Sequence, residues 1–192
     1  VRTLQPLSSP VSSSQGGVGV GGDGGGIFTC IASGTPVKQY DGEWLPVYAD
    51  SKLGVLWSGD GVSPNQLCKL RSGFDLVRRV RTANGIEILA TDSESFITPK
   101  GKVFLCNLRV GDRLWADLDD RRTISKIVEI SEHLERQLVI TPSLSGNHLF
   151  IAGEYKPNRW QRLVNWIFRR KSIQGGFVLS NVKPLLDVPT NY

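Results

Sequence analysis

The sequence predicts an all-β fold of short strands, carrying one amphipathic helix near its C-terminal end. Turn dipeptides recur between apolar or β-branched runs, residues 27–155 show no 3.6-residue apolar period, and one later segment does. With 192 residues, 40% of them apolar, the chain can fill one ordinary core, which excludes disorder throughout. No stretch of 18 apolar residues occurs, and the start Val1-Arg2-Thr3-Leu4 lacks the basic and then apolar pattern of a secretory leader. Methionine is absent, which predicts a piece of a longer precursor.

Residues 1–27 are rich in Ser and Gly, with the run Gly16-Gly17-Val18-Gly19-Val20-Gly21-Gly22 at their centre. Such composition buries too little apolar surface to offset chain entropy, so a flexible linker is expected. Residues 28–158 are expected to form the β domain, and residues 159–192 a helix followed by a strand and tail. Asp41-Gly42 and Asn84-Gly85 suit the positive φ angles of tight hairpins. Residues 76–82 thus pair with 86–91 across Asn84-Gly85. Pro99-Lys100-Gly101 turns the chain into a strand at 103–105, and Gly111-Asp112 precedes one at 113–115. Further strands are expected at 124–130, 137–141, 148–152 and 177–180.

The net charge of +5 suggests a polyanionic partner until it is located. Arg159, Arg162, Arg169, Arg170 and Lys171 fall within thirteen residues that hold no acid, so the other 179 residues sum to zero. In the same segment Trp160, Leu163, Val164, Ile167 and Phe168 recur at helical spacing, the pattern of one amphipathic helix. A helix at 159–171 can lie on an anionic membrane or on nucleic-acid phosphates. The commoner arrangement packs the apolar stripe on the domain and leaves the arginines in water, and that is what we expect here.

Cys30, Cys68 and Cys106 form no CxxC pair, and the two histidines, His133 and His148, form no ligand pair, so no metal or other cofactor is implied. The odd cysteine count argues against a disulfide framework and suits a reducing compartment or a viral particle. Cys68 and Cys106 sit in apolar runs and read as small buried hydrophobes.

Cys30 stands apart because it follows the glycine-rich stretch and opens Cys30-Ile31-Ala32-Ser33-Gly34-Thr35-Pro36-Val37. This resembles the first block of the Hint superfamily, which comprises inteins, bacterial intein-like domains and hedgehog-type autoprocessing domains. Two later stretches are similar to that family in order and spacing. Thr91-Asp92-Ser93-Glu94-Ser95-Phe96, followed by Leu108-Arg109-Val110-Gly111-Asp112, resembles a Thr-x-x-His-x-Phe segment and its Leu-x-x-Gly-Asp sequel. His148-Leu149-Phe150-Ile151-Ala152-Gly153, running on to Pro157-Asn158, resembles the closing His-x-Phe-x-x-x-Gly and His-Asn blocks. The register puts Glu94 and Pro157 where the family has histidines, and Arg159 where a splicing intein has Cys, Ser or Thr.

The resemblance implies a Hint horseshoe and a self-processing activity whose substrate is the flanking polypeptide itself. Cys30 would attack the carbonyl of Thr29 to form a thioester, a step that needs a proton for the leaving nitrogen and donors for the oxyanion. Thr91 would offer a hydroxyl or amide donor, and His148 a general acid or base. A solvated carboxyl titrates near about 4.3, so Glu94 serves as an acid only if burial raises its pKa. Asn158 would cyclise to break the peptide before Arg159. Asn191 is the alternative end if the strand at Phe177 closes the domain. Arg159 favours cleavage over splicing.

Each residue also has a purely structural reading. Cys30 could be a buried hydrophobe, Thr91 a strand former, Glu94 a loop carboxylate, His148 a satisfied strand-start histidine and Asn158 a helix N-cap. A degenerate Hint scaffold retained as a structural or interaction module is the corresponding functional alternative, and a basic-helix nucleic-acid or membrane-surface binder is a third.

Overall fold

The computed structural model describes residues 30–51, 54–57, 64–168 and 173–180. The linker expected over 1–27, Thr29, Asn191 and the end of the basic segment at 169–171 lie outside them.

The first strands are short. β1 (Ile31–Ala32) leads through Gly34, at φ 83, into β2 (Pro36–Lys38). The turn at Asp41-Gly42 then returns the chain as β3 (Trp44–Pro46). β4 (Val55–Trp57) precedes the long β5 (Pro64–Leu76), which the sequence did not announce. Its faces alternate poorly, because β5 forms a ribbon with a later strand and leaves much of both faces in water. β6 (Arg78–Thr82) and β7 (Ile86–Ala90) pair across Asn84-Gly85 as expected, with Gly85 at φ 88.

β8 (Ser95–Thr98) and β9 (Gly101–Phe104) form the next hairpin, and a single 3-10 turn follows at Leu105–Asn107. β10 (Arg113–Leu118) and β11 (Arg121–Ile130) are joined by Asp119 and Asp120, both at positive φ. β12 (Arg136–Leu144), β13 (Leu149–Ala152) and β14 (Glu154–Tyr155) lead to α1 (Arg159–Ile167), and β15 (Gly175–Ser180) ends the described chain.

The strands join in one antiparallel ladder of order β3-β2-β13-β15-β10-β11-β6-β7-β1-β12-β5-β4, with β8 added against β15 and β14 against β7. Among the described residues α1 is the one α-helix. The fold is therefore all-β with a single C-terminal helix, as the sequence predicts. Ile31, Val80, Ile86, Phe96, Leu105, Phe150 and Phe177 meet in the core, where the rings of Phe96 and Phe177 pack edge to face with centroids 5.6 Å apart.

Three expectations need correction. Residues 175–180 are not an appendage: β15 lies between β13 and β10, and all six of its residues are buried. A break at residue 158 would cut through the core. Gly175-Gly176 are part of that strand because the backbones close in there; a Cβ on Gly176 would stand 2.7 Å from the Ala152 carbonyl. Cys68 and Cys106 are exposed, Cys68 on the solvated ribbon of β5 and Cys106 on the surface turn after β9. Finally, α1 buries none of its residues, so its apolar stripe does not pack on the domain.

Candidate active site

Strand register builds the site. β1 runs between β7 and β12, with Ile31 paired to Ala90 on one side and to Ile140 on the other. In antiparallel pairing the residue before Ile31 therefore faces the residue after each partner, so Cys30 stands between Thr91 and Thr141. The Thr91 amide donates to the Cys30 carbonyl at 3.0 Å, and the Thr91 hydroxyl reaches the same oxygen at 3.4 Å. On the other flank the Cys30 Sγ lies 2.8 Å from Thr141 Oγ1. The Thr91 amide thus holds Cys30 in place, and its hydroxyl is shared between the Cys30 carbonyl and Ser93 Oγ at 3.0 Å, whereas the sequence suggested Thr91 for the oxyanion. Thr141 was not singled out, because its strand was legible but its partner was not.

Cys30 is buried, and on its inner side it packs with Val77 and Val139. Burial pushes its thiol up to about 11, the Thr141 hydroxyl holds it down in part, and the Glu94 and Asp75 carboxyls add to the rise. At rest the sulfur carries its proton.

Glu94 arrives by a turn. Its amide donates to the Thr91 carbonyl at 2.9 Å, while its own carbonyl accepts from the Leu105 amide at 2.9 Å, which folds the side chain inward. Only 1% of Glu94 is exposed, and neither carboxyl oxygen has a hydrogen-bond partner among the described residues. Burial pushes its pKa well above the ordinary carboxylate range, against a smaller opposing pull from the Ser95 amide. The condition the sequence set for Glu94 as an acid, burial that raises its pKa, is met.

The end of β15 comes to the same place. Ser180 pairs with Ser95 on β8 and with Leu149 on β13. Ser180 is fully buried, one residue along the neighbouring chains from Glu94 on one side and from His148 on the other. His148 is partly buried and sits at φ 59, a left-handed backbone that histidine tolerates better than most side chains and that sets its direction at the start of β13.

Asn158 does not join this group. It is the N-cap of α1, where its side chain accepts from the Gln161 amide at 2.8 Å and Gln161 Oε1 accepts from the Asn158 amide at 2.8 Å. Gln161 packs against Gly85, at the opposite end of β7 from Thr91. Five strand residues, roughly 17 Å, separate those ends. Pro157 therefore occupies a helix entry rather than a place near Cys30. Among the described residues no group of three or more His, Cys, Asp or Glu could hold a metal ion.

Comparison of the sequence with protein-family profiles and with curated proteins finds no match. Solved structures do match. A DnaB intein from Synechocystis superposes with a TM-score of 0.59 at 18% identity over 68% of this chain and 99% of that one. A bacterial intein-like domain from Clostridium thermocellum gives 0.55 at 15% over 79% and 98%. The gp41-1 intein gives 0.54 at 23% over 65% and 93%. The fold is the Hint fold of inteins and intein-like domains.

Proposed function

We propose that this chain is an intein-like self-processing domain that cleaves its own Thr29–Cys30 peptide through a thioester and does not efficiently splice. The observation that carries the reading is Cys30 clamped between Thr91 and Thr141, with a buried Glu94 carboxyl that acts electrostatically on the thiol and has no hydrogen-bond partner among the described residues.

In the reaction the Cys30 sulfur bonds to the Thr29 carbonyl carbon, the carbon–nitrogen bond breaks, and the freed Cys30 nitrogen takes up a proton. The thiol gives its proton to water before the attack, and the carboxyl passes one to the nitrogen and regains one from water, so the protons balance. Glu94 in its acid form suits that task. Thr91 is a positioning residue, since it holds the Cys30 carbonyl. Water or an external thiol then opens the thioester and releases the N-terminal flank, so the partner in the reaction is the chain's own flanking polypeptide. No cofactor is needed.

At the other junction, the place a His-Asn ending would take is Ser180 followed by Asn181, because β15 and not the segment before α1 reaches the Cys30 end of the sheet. Asn181 would then replace Asn158 and Asn191 as the cyclising residue. Val182 follows it, which offers no hydroxyl or thiol to receive the N-terminal flank. The preference for cleavage over splicing that rested on Arg159 thus rests on Val182.

The test is a precursor with about ten residues added before Val1, incubated with and without a thiol and read by intact mass. A fragment starting at Cys30, present in wild type and missing in Cys30→Ala, supports the reading. Equal stability of both precursors contradicts it and favours a degenerate scaffold.

A further inference from the structure

Helix α1 is seated the wrong way round for a helix that merely covers a sheet. Its contacts with the domain are polar: Gln161 Nε2 donates to the Ala83 carbonyl at 3.2 Å, and Asn165 Nδ2 to the Tyr155 hydroxyl at 3.4 Å. Those two residues are four apart and share one face. Leu163 and Ile167 each lie two positions on, about 160° round the helix, and so point away from the domain. Trp160 is 74% exposed, Ile167 57% and Phe168 68%. Beneath the helix Trp160 and Val164 face Leu118 across a groove of about 740 Å³, so the outward part of the stripe is Leu163 and Ile167.

An outward apolar stripe of this kind marks an interaction surface, and charge identifies the partner. Arg159 borders the stripe, Arg162 lies behind it, and Arg169, Arg170 and Lys171 follow in sequence, while the rest of the chain is neutral overall. Trp and Phe with arginines alongside suit the boundary between acyl chains and phosphate headgroups, where aromatic bodies sink and guanidinium groups stay at the phosphates. A nucleic acid would need several arginines on the outward face, where Arg159 alone shares it with Leu163 and Ile167. Among the described residues no helix is long and apolar enough to cross a membrane, so α1 would lie along the surface.

We propose that α1 docks this domain on an anionic lipid bilayer. The full 192-residue chain should co-sediment with phosphatidylcholine vesicles containing phosphatidylserine. It should bind pure phosphatidylcholine far less, and high salt should release it. The double variant Leu163→Glu, Ile167→Glu should bind the anionic vesicles at least roughly tenfold more weakly, with an unchanged β-type circular dichroism spectrum because both side chains leave the core untouched. Arg159→Glu should weaken binding and its salt dependence together. The proposal is overturned if anionic vesicles bind neither protein at low salt, or bind wild type and the double variant equally. It is also overturned if sedimentation velocity shows a dimer that the double variant loses, for then a second copy covers the stripe.

Discussion

Thr141 Oγ1 lies 2.8 Å from the sulfur of Cys30, across the ladder that joins β12 to β1. A hydroxyl there can donate to a thiolate but adds little to a thiol, so it favours the attacking form of a group that burial otherwise keeps protonated. Thr141→Val keeps the shape and removes the donor. The Cys30 pKa then rises beyond about 11, and cleavage at pH 8 slows by roughly three- to tenfold, the worth of one hydrogen bond. The rate of fragment release by intact mass checks this.

Glu94 sets the pH profile. The reactive form needs Cys30 as thiolate and Glu94 as acid. The rate should rise about tenfold per pH unit while Glu94 stays protonated, level off once Glu94 ionises, and fall beyond the thiol's pKa of about 11. Glu94→Gln removes the acid: the rate drops roughly 10²-fold at pH 7, and the plateau becomes a continuous rise. An unchanged profile would assign the proton to another group.

The same carboxyl links stability to pH. A folded-state pKa raised above 4.5 means that folding takes up a proton. Its stability contribution is full below about 4.5 and is lost as pH rises through the folded value. Wild type should therefore melt at a lower temperature at pH 8 than at pH 5, while Glu94→Gln, neutral throughout, should show a flatter trend and a higher Tm at pH 8. Parallel melting curves measure the difference.

Asn158 and the end of β15 separate by mutation. Asn158→Ala removes the N-cap of α1 and should cost about 1 kcal/mol locally, visible as faster amide exchange in the helix, with release at Cys30 unchanged. Asn181→Ala should abolish any cleavage before Val182 and likewise leave release at Cys30 unchanged.

Gly176 marks how tightly β15 is held. A methyl group there meets the Ala152 backbone at 2.7 Å, and backbone cannot swing aside, so Gly176→Ala should destabilise the domain by about 1–3 kcal/mol in denaturant melts. Gly42→Ala, at a position with nothing within 4 Å, is the comparison for a glycine held by its φ of 91 alone.

Hairpins were legible in the sequence wherever turn chemistry is local: Asn84-Gly85 gave the existence of the β6–β7 hairpin, but Arg81 faces Glu87, so the turn takes three residues, Ala83 to Gly85, with positive φ at Gly85 and not at Asn84, and the register is one residue from that of a two-residue turn. Long-range pairing was not. Nothing local says that β15 slots between β13 and β10 or that Thr141 faces Cys30, because each depends on strands many residues apart. Cys30 and Glu94 were singled out through motif spacing, yet the burial of Glu94 could not be read from a polar Asp-Ser-Glu-Ser run. It follows from the turn at Thr91 and the cover of β15. That Asn158 caps α1 at the far end of β7 from Thr91 was not legible either, because an Asn after Pro157 looks the same in sequence wherever its segment runs in space. Helical periodicity located α1, but periodicity cannot say which face meets the domain, and here the polar face does.

The most direct test of the thioester is its capture by hydroxylamine at neutral pH, with both fragments read by mass. The account predicts an N-terminal fragment ending at Thr29 as the hydroxamate and a partner beginning with Cys30, neither formed by Cys30→Ala. Fragments ending at Thr29 as the free acid alone, in equal yield from wild type and Cys30→Ala, would contradict it.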